Sequence, residues 1–119
     1  MLKFLRSVGF ALNGVKYAFA TEINIRVLLL IVIAEISAAI YFSVTAVELL
    51  LLLLAAALLF ALELVNTAIE RLADRVSGQR EPQIGIVKDV MAGAVLIASL
   101  FAFLLACVIF YKPVLQLFH

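Results

Sequence analysis

The run over 90–111 sets the strongest limit on what this chain can fold into: 22 consecutive residues without a charge. A helix needs about 20 mostly apolar residues to cross the hydrocarbon core of a bilayer. Two further stretches reach that length. One covers 27–44 and is interrupted by Glu35. The other covers 46–70, contains an uncharged run over 49–62, and continues to about residue 76 with no Gly or Pro to break a helix. The link between these two stretches is short, which predicts a tight antiparallel hairpin. Composition closes off the alternatives. Of 119 residues, 67% are hydrophobic and 14% charged, whereas soluble domains run near half apolar and a quarter charged. One Cys excludes a disulfide scaffold, the wealth of Leu, Ile, Val and Phe excludes a disordered tail, and a net charge of +1 leaves no nucleic-acid footprint. The chain reads as a single all-α membrane domain with three transmembrane helices.

Residues 1–21 lack a clean apolar run with a small-residue cleavage site, so no signal peptide is expected. They alternate Lys3, Arg6, Asn13 and Lys16 with Phe4, Leu5, Val8, Leu12, Val15 and Phe19. That pattern predicts an amphipathic helix lying on the membrane surface. Lys3, Arg6, Lys16 and Arg26 precede the first span, and Arg71, Arg75, Arg80 and Lys88 lie between the second and third; the outer link has no basic residue and the C-terminal tail only Lys112. The positive-inside rule then predicts a cytoplasmic N-terminus and an outward C-terminus.

The chemistry concentrates at the end of the second span. Helical residues advance about 100° each, so Glu63, Asn66, Glu70 and Asp74 share a stripe of about 80° on one face. Three acids and an amide on one face repel unless a positive charge sits among them. Mg²⁺ answers that need, because it takes oxygen ligands and is commonly held by one or two carboxylates plus phosphates. Asp74 lies about 16 Å beyond Glu63 along a straight helix, so the stripe leads from just inside the bilayer to the headgroup zone. At those depths a carboxylate at Glu63 is within reach of a lipid headgroup hydroxyl, and one at Glu70 within reach of a water-soluble nucleotide. Thr21-Glu22-Ile23-Asn24-Ile25-Arg26 and Lys88-Asp89 stand at the same cytoplasmic level. A lysine beside phosphates acts as a point-charge clamp.

Other polar residues carry less. Glu35 reads as a structural or neutral group, Glu48 as a solvated helix start, Cys107 as a small hydrophobe and His119 as a mobile terminus. Ala92, Gly93 and Ala94 favour close helix packing. Pro113 is expected to end the third span.

Glu63-Leu-Val-Asn-Thr-Ala-Ile-Glu70 with Asp74, and Lys88-Asp89 downstream, resembles the integral-membrane prokaryotic diacylglycerol kinase family, which includes undecaprenol kinases. The resemblance covers nearly the whole chain. It implies an ATP- and Mg²⁺-dependent lipid kinase, a homotrimer with sites between protomers, converting diacylglycerol to phosphatidic acid. It further implies Glu63 as the general base and Glu22 and Glu70 as holders of Mg²⁺ and nucleotide phosphates. Asn66 and Asp74 shape the nucleotide site, Lys88 and Asp89 contact the nucleotide, and Arg80 and Glu81 fall at a nucleotide-contacting position by spacing. Lys3, Asn24 and Arg26, with Glu63, fall where the family contacts lipid. Val27-Leu28 stands where the best-known diacylglycerol kinases carry Gln-Glu, and the Asn-Thr-Ala-Ile-Glu and Ala92-Gly93-Ala94-Val95 segments are commoner among undecaprenol kinases. Undecaprenol is therefore the alternative lipid. From another class, a small proton-coupled transporter built on Glu35 or Glu63 is the competing reading. An odd number of spans with acids gathered at one level argues against it. No P-loop and no soluble-kinase signature is present, so phosphoryl transfer would rest on Mg²⁺, carboxylates and Lys.

Overall fold

The computed structural model describes residues 1–76 and 81–119. Four helices follow in order: α1 (Leu2–Thr21), α2 (Ile23–Tyr41), α3 (Ala46–Val76) and α4 (Pro82–Leu117). The last three are long and apolar enough to cross a membrane. At about 1.5 Å per residue, the 31 residues of α3 span about 46 Å. That exceeds a hydrocarbon core of about 30 Å, so one end of α3 must stand in the polar zone. The first half, charged only at Glu48 in its opening turn, and the charged second half decide which end.

The hairpin between α2 and α3 has a defined geometry. Ser43 adopts a left-handed conformation with φ 53°. The Ser43 amide donates to the Ile40 carbonyl at 3.2 Å, and the Val44 amide donates to the Ala39 carbonyl at 3.1 Å. This is a Schellman ending, with Ser where Gly is usual. Its apolar member, Val44, packs against the cluster formed by Ala39, Leu52 and Ile109. The next helix starts with a reciprocal capping box. The Thr45 amide donates to Glu48 Oε1 at 2.9 Å, and the Glu48 amide donates to Thr45 Oγ1 at 3.1 Å. Glu48 is thus a helix-start residue with a specific bonding role. A β-branched side chain tolerates left-handed backbone poorly, so Ser43→Val should lower unfolding stability by about 1–2 kcal/mol, measured by denaturation in mixed micelles. Ser43→Gly should leave stability unchanged or raise it.

At the other corner, Pro82 occupies the first turn of α4, where its missing amide costs nothing. Pro113 does not end α4, contrary to the sequence expectation; the helix continues to Leu117. The ring removes only the amide that would donate to the carbonyl four residues back. The chain beyond it closes with Phe118 and His119 amides donating to Leu115 and Gln116 carbonyls.

The helices do not enclose a core. The chain exposes 9119 Å², against about 6,300 Å² for a compact monomer of 13.0 kDa. Large apolar side chains stand outward on every spanning helix, among them Leu30, Leu54 and Phe101, the last 69% exposed. Such a surface requires an apolar environment. The small buried cluster of Ala39, Leu52 and Ile109 lies at the hairpin end, with Leu49, Leu105, Ala106 and Phe110 around it. Phe42 and Phe110 tilt together there, 6.2 Å between ring centres. Glu35 lies midway along α2 and lines a cavity of about 320 Å³ between α2, α3 and α4; Ser99 is its polar companion there, the other lining residues being apolar.

Candidate functional site

The charged end of α3 is graded by exposure. Glu63 is buried at 9% exposure, Asn66 and Glu70 are half-buried, and Asp74 is exposed. Glu63 stands 17 residues beyond Ala46, or about 26 Å along the helix, and Glu70 one to two turns further. Thr67 is buried beside them, its hydroxyl donating to the Glu63 carbonyl at 3.0 Å. That bond uses the one hydrogen of the Thr67 hydroxyl and leaves its oxygen as an acceptor only.

Two other elements bring charge to this stretch of α3. The first is the corner between α1 and α2. Glu22 is its single non-helical residue, with extended backbone (φ −110°, ψ 116°), and its amide donates to the Ala18 carbonyl at 2.8 Å. Two helices separated by one residue leave that side chain little choice of direction. The Glu22 carboxylate accepts a hydrogen bond from Arg71 of α3 at 3.3 Å. The second is the start of α4, where Lys88 Nζ donates to Asp74 Oδ1 at 2.7 Å. Arg71 and Asp74 are one and four residues past Glu70, so Glu22, Glu70 and Lys88 are gathered along about 6 Å of helix rise. The carboxylates of Glu70 and Glu22 also lie within electrostatic range of Glu63. Glu22 from the α1–α2 corner and Lys88 from α4 thus both reach the charged end of α3, at Arg71 and at Asp74. The Lys88–Asp74 pair is partly exposed; such pairs are worth about 0–1 kcal/mol, so this one costs little to break.

The remaining predicted site residues are placed differently. Asp89 and Glu81 are exposed on and just before α4. The Glu81 carbonyl accepts from the Gly85 amide at 3.0 Å, while its side chain caps nothing. Asn24 and Arg26 are exposed on the first turn of α2, flanking Ile25, which is fully buried. Lys3 stands at the far end of α1, about 28 Å along the helix from Glu22, so within one chain it does not join the cluster. Arg80 lies outside the described residues.

Among the described residues, no three His, Cys, Asp or Glu side chains are close enough to hold a metal ion by themselves. Glu22 and Glu70 suit Mg²⁺ as hard oxygen donors, but the coordination shell would need phosphate oxygens and water to complete it. Sequence reasoning missed Arg71 and Tyr17. Arg71 lies off the acidic stripe, and its guanidinium sits over the Tyr17 ring of α1, 5.5 Å from the centroid. The usable signal was an arginine adjacent to Glu70 and an aromatic residue five positions before Glu22.

The profile of the prokaryotic diacylglycerol kinase family matches residues 9–110. A diacylglycerol kinase of Synechocystis sp. is 38% identical over 114 residues, which cover 95% of this chain and 65% of that relative's length. The diacylglycerol kinase of Haemophilus influenzae is 31% identical over 79% of this chain and 80% of its own. That of Escherichia coli is 27% identical over 92% and 90%. The match takes in the surface-type helix, the three apolar helices and both polar corners, and the chain belongs to the prokaryotic diacylglycerol kinase family of membrane lipid kinases.

Proposed function

We propose that the chain transfers the γ-phosphate of ATP to the hydroxyl of diacylglycerol, giving phosphatidic acid. The observation that carries this reading is that Glu22 of the α1–α2 corner and Lys88 of α4 both contact the charged end of α3, at Arg71 and Asp74, on either side of the level of Glu70 and beyond buried Glu63. Glu63, buried at the apolar limit of that end, accepts the proton of the lipid hydroxyl. The freed oxygen forms a bond to the γ-phosphorus as the bond to the β-phosphate oxygen breaks, and ADP leaves. Glu22 and Glu70 would hold Mg²⁺, and the ion would supply neutralisation of charge on the transferring group. Lys88 leaves Asp74 for a phosphate oxygen. Asn66, Asp74 and Asp89 line the nucleotide side, with Arg80 and Glu81 on its approach. Lys3, Asn24 and Arg26 face headgroups. Because so little covalent chemistry falls to the protein, positioning supplies most of the catalysis.

Three spanning helices with an open surface cannot wrap a nucleotide alone, which supports a homotrimer whose sites lie between protomers. The eight basic residues near one side of the membrane support a cytoplasmic N-terminus and an outward C-terminus. Undecaprenol remains the second lipid on the strength of Val27-Leu28 after Arg26. Purified protein in lipid, given γ-labelled ATP and Mg²⁺ with diacylglycerol and undecaprenol side by side, tests the reading. Labelled phosphatidic acid is expected; label in undecaprenyl phosphate alone would reassign the substrate, and label in neither would overturn the kinase reading.

A further inference from the structure

The Tyr17–Arg71–Glu22 contact is unexplained by the reaction. Its three members come from α1, α3 and the corner between α1 and α2. Glu22 sits at the N-cap of α2, a place from which a side chain often bonds the free amides of its own helix. Here it makes no such bond and turns to Arg71 instead. Arg71, in turn, lies over the ring of Tyr17, one turn before the corner. The guanidinium therefore lies between two groups, with the Tyr17 ring centre 5.5 Å from its carbon and the Glu22 carboxylate 3.3 Å from one nitrogen, a double contact that the several donors of one flat Arg group serve better than the point charge of Lys.

Little else ties α1 to the bundle. Ala18 is its one buried residue, and Phe19 stacks on Phe60 of α3 at 6.1 Å between centres. Phe19–Phe60 fixes where α1 touches α3 but leaves it free to pivot about that point. The Arg71 contact supplies a second point, beside the corner, and two points fix an angle. Half-exposed ion pairs and exposed cation–π contacts add little to fold stability, so this one is poorly explained as a stabilising device. A displacement of about 1 Å in a reacting geometry, by contrast, can lower turnover about 100-fold.

We propose that Arg71 is a positioning residue: clasped between Tyr17 and Glu22, it sets the angle of α1 on α3 and thereby holds the Glu22 carboxylate at the height of Glu63 and Glu70. The assignment rests on the placement of Glu22 in the kinase site. It adds a residue that acts through Glu22 rather than on substrate, and it gives α1 a part in the site beyond lying on the membrane.

The test uses the full chain in lipid, with Cys107→Ala and nitroxide labels at Leu12→Cys on α1 and Leu58→Cys on α3. Without any substrate, the doubly labelled parent, diluted into an excess of unlabelled chain so that each assembly holds at most one labelled copy, should give one narrow inter-label distance. Arg71→Gln and Tyr17→Leu should broaden it. In the unlabelled chain, Arg71→Gln should lower kcat about 10- to 100-fold with the KM for lipid little changed, and Arg71→Lys should recover only part of the loss. Wild-type kcat in Arg71→Gln overturns the proposal. So does a lost kcat with an unchanged distance distribution, which would make Arg71 a direct substrate contact. If the parent phosphorylates no lipid, the kinase reading fails by itself, and an unbroadened distance in Arg71→Gln still overturns the clasp.

Discussion

Glu63→Gln is expected to lower kcat by about 10²–10⁴-fold, the usual contribution of a general base to proton transfer. The amide keeps the size of the side chain and cannot take the hydroxyl proton. KM for ATP should change little, because Glu63 sits one to two turns from Glu70 on the apolar side of the site. Assembly and helix content should also survive. Glu63 is buried, and replacing a buried carboxylate by an amide removes a desolvation cost rather than adding one. Steady-state assays with labelled ATP and diacylglycerol check this. Retained turnover would remove Glu63 from the chemistry and leave the stripe as a nucleotide site alone.

Glu70→Gln should act differently. Its carboxylate is half-buried one residue before Arg71, beside the corner that presents Glu22. Losing it takes away one of the two carboxylates available to Mg²⁺, so the Mg²⁺ concentration for half-maximal rate should rise at least tenfold, with kcat down about 10²-fold, as for loss of one preorganised electrostatic group. A titration of rate against Mg²⁺ at fixed ATP separates this from a folding defect, which would lower the plateau without moving the midpoint. An unmoved midpoint would take Glu70 out of the metal role.

These two positions show what the chain disclosed before its fold was known. The spacing of Glu63, Asn66, Glu70 and Asp74 follows from helical periodicity, and the gradient from buried Glu63 to exposed Asp74 follows from the 14 uncharged residues that precede Glu63. Both are local properties of one helix. Pairings between helices were less accessible. Lys88 and Asp74 were singled out separately, but their 2.7 Å bond depends on how α4 packs on α3. Arg71 enters the sequence reading only as one of the basic residues that set the orientation, and Tyr17 not at all, because the azimuth of an off-stripe arginine has meaning only once α1 is in place. Two turn features also escaped. Ser43 in the left-handed region has no Gly to announce it, and Pro113 was read as a helix terminator although a proline one turn from the end disturbs only one bond.

The central claim is that acids from separate helix ends, Glu22 at the α1–α2 corner and Glu70 on α3, hold one metal–nucleotide complex. Mn²⁺ with a non-hydrolysable ATP analogue, titrated against the chain in lipid and followed by electron paramagnetic resonance, tests it without turnover. The account predicts saturable Mn²⁺–nucleotide binding by the wild type and at least tenfold weaker binding by Glu22→Gln and by Glu70→Gln. Wild-type affinity in both variants would contradict it.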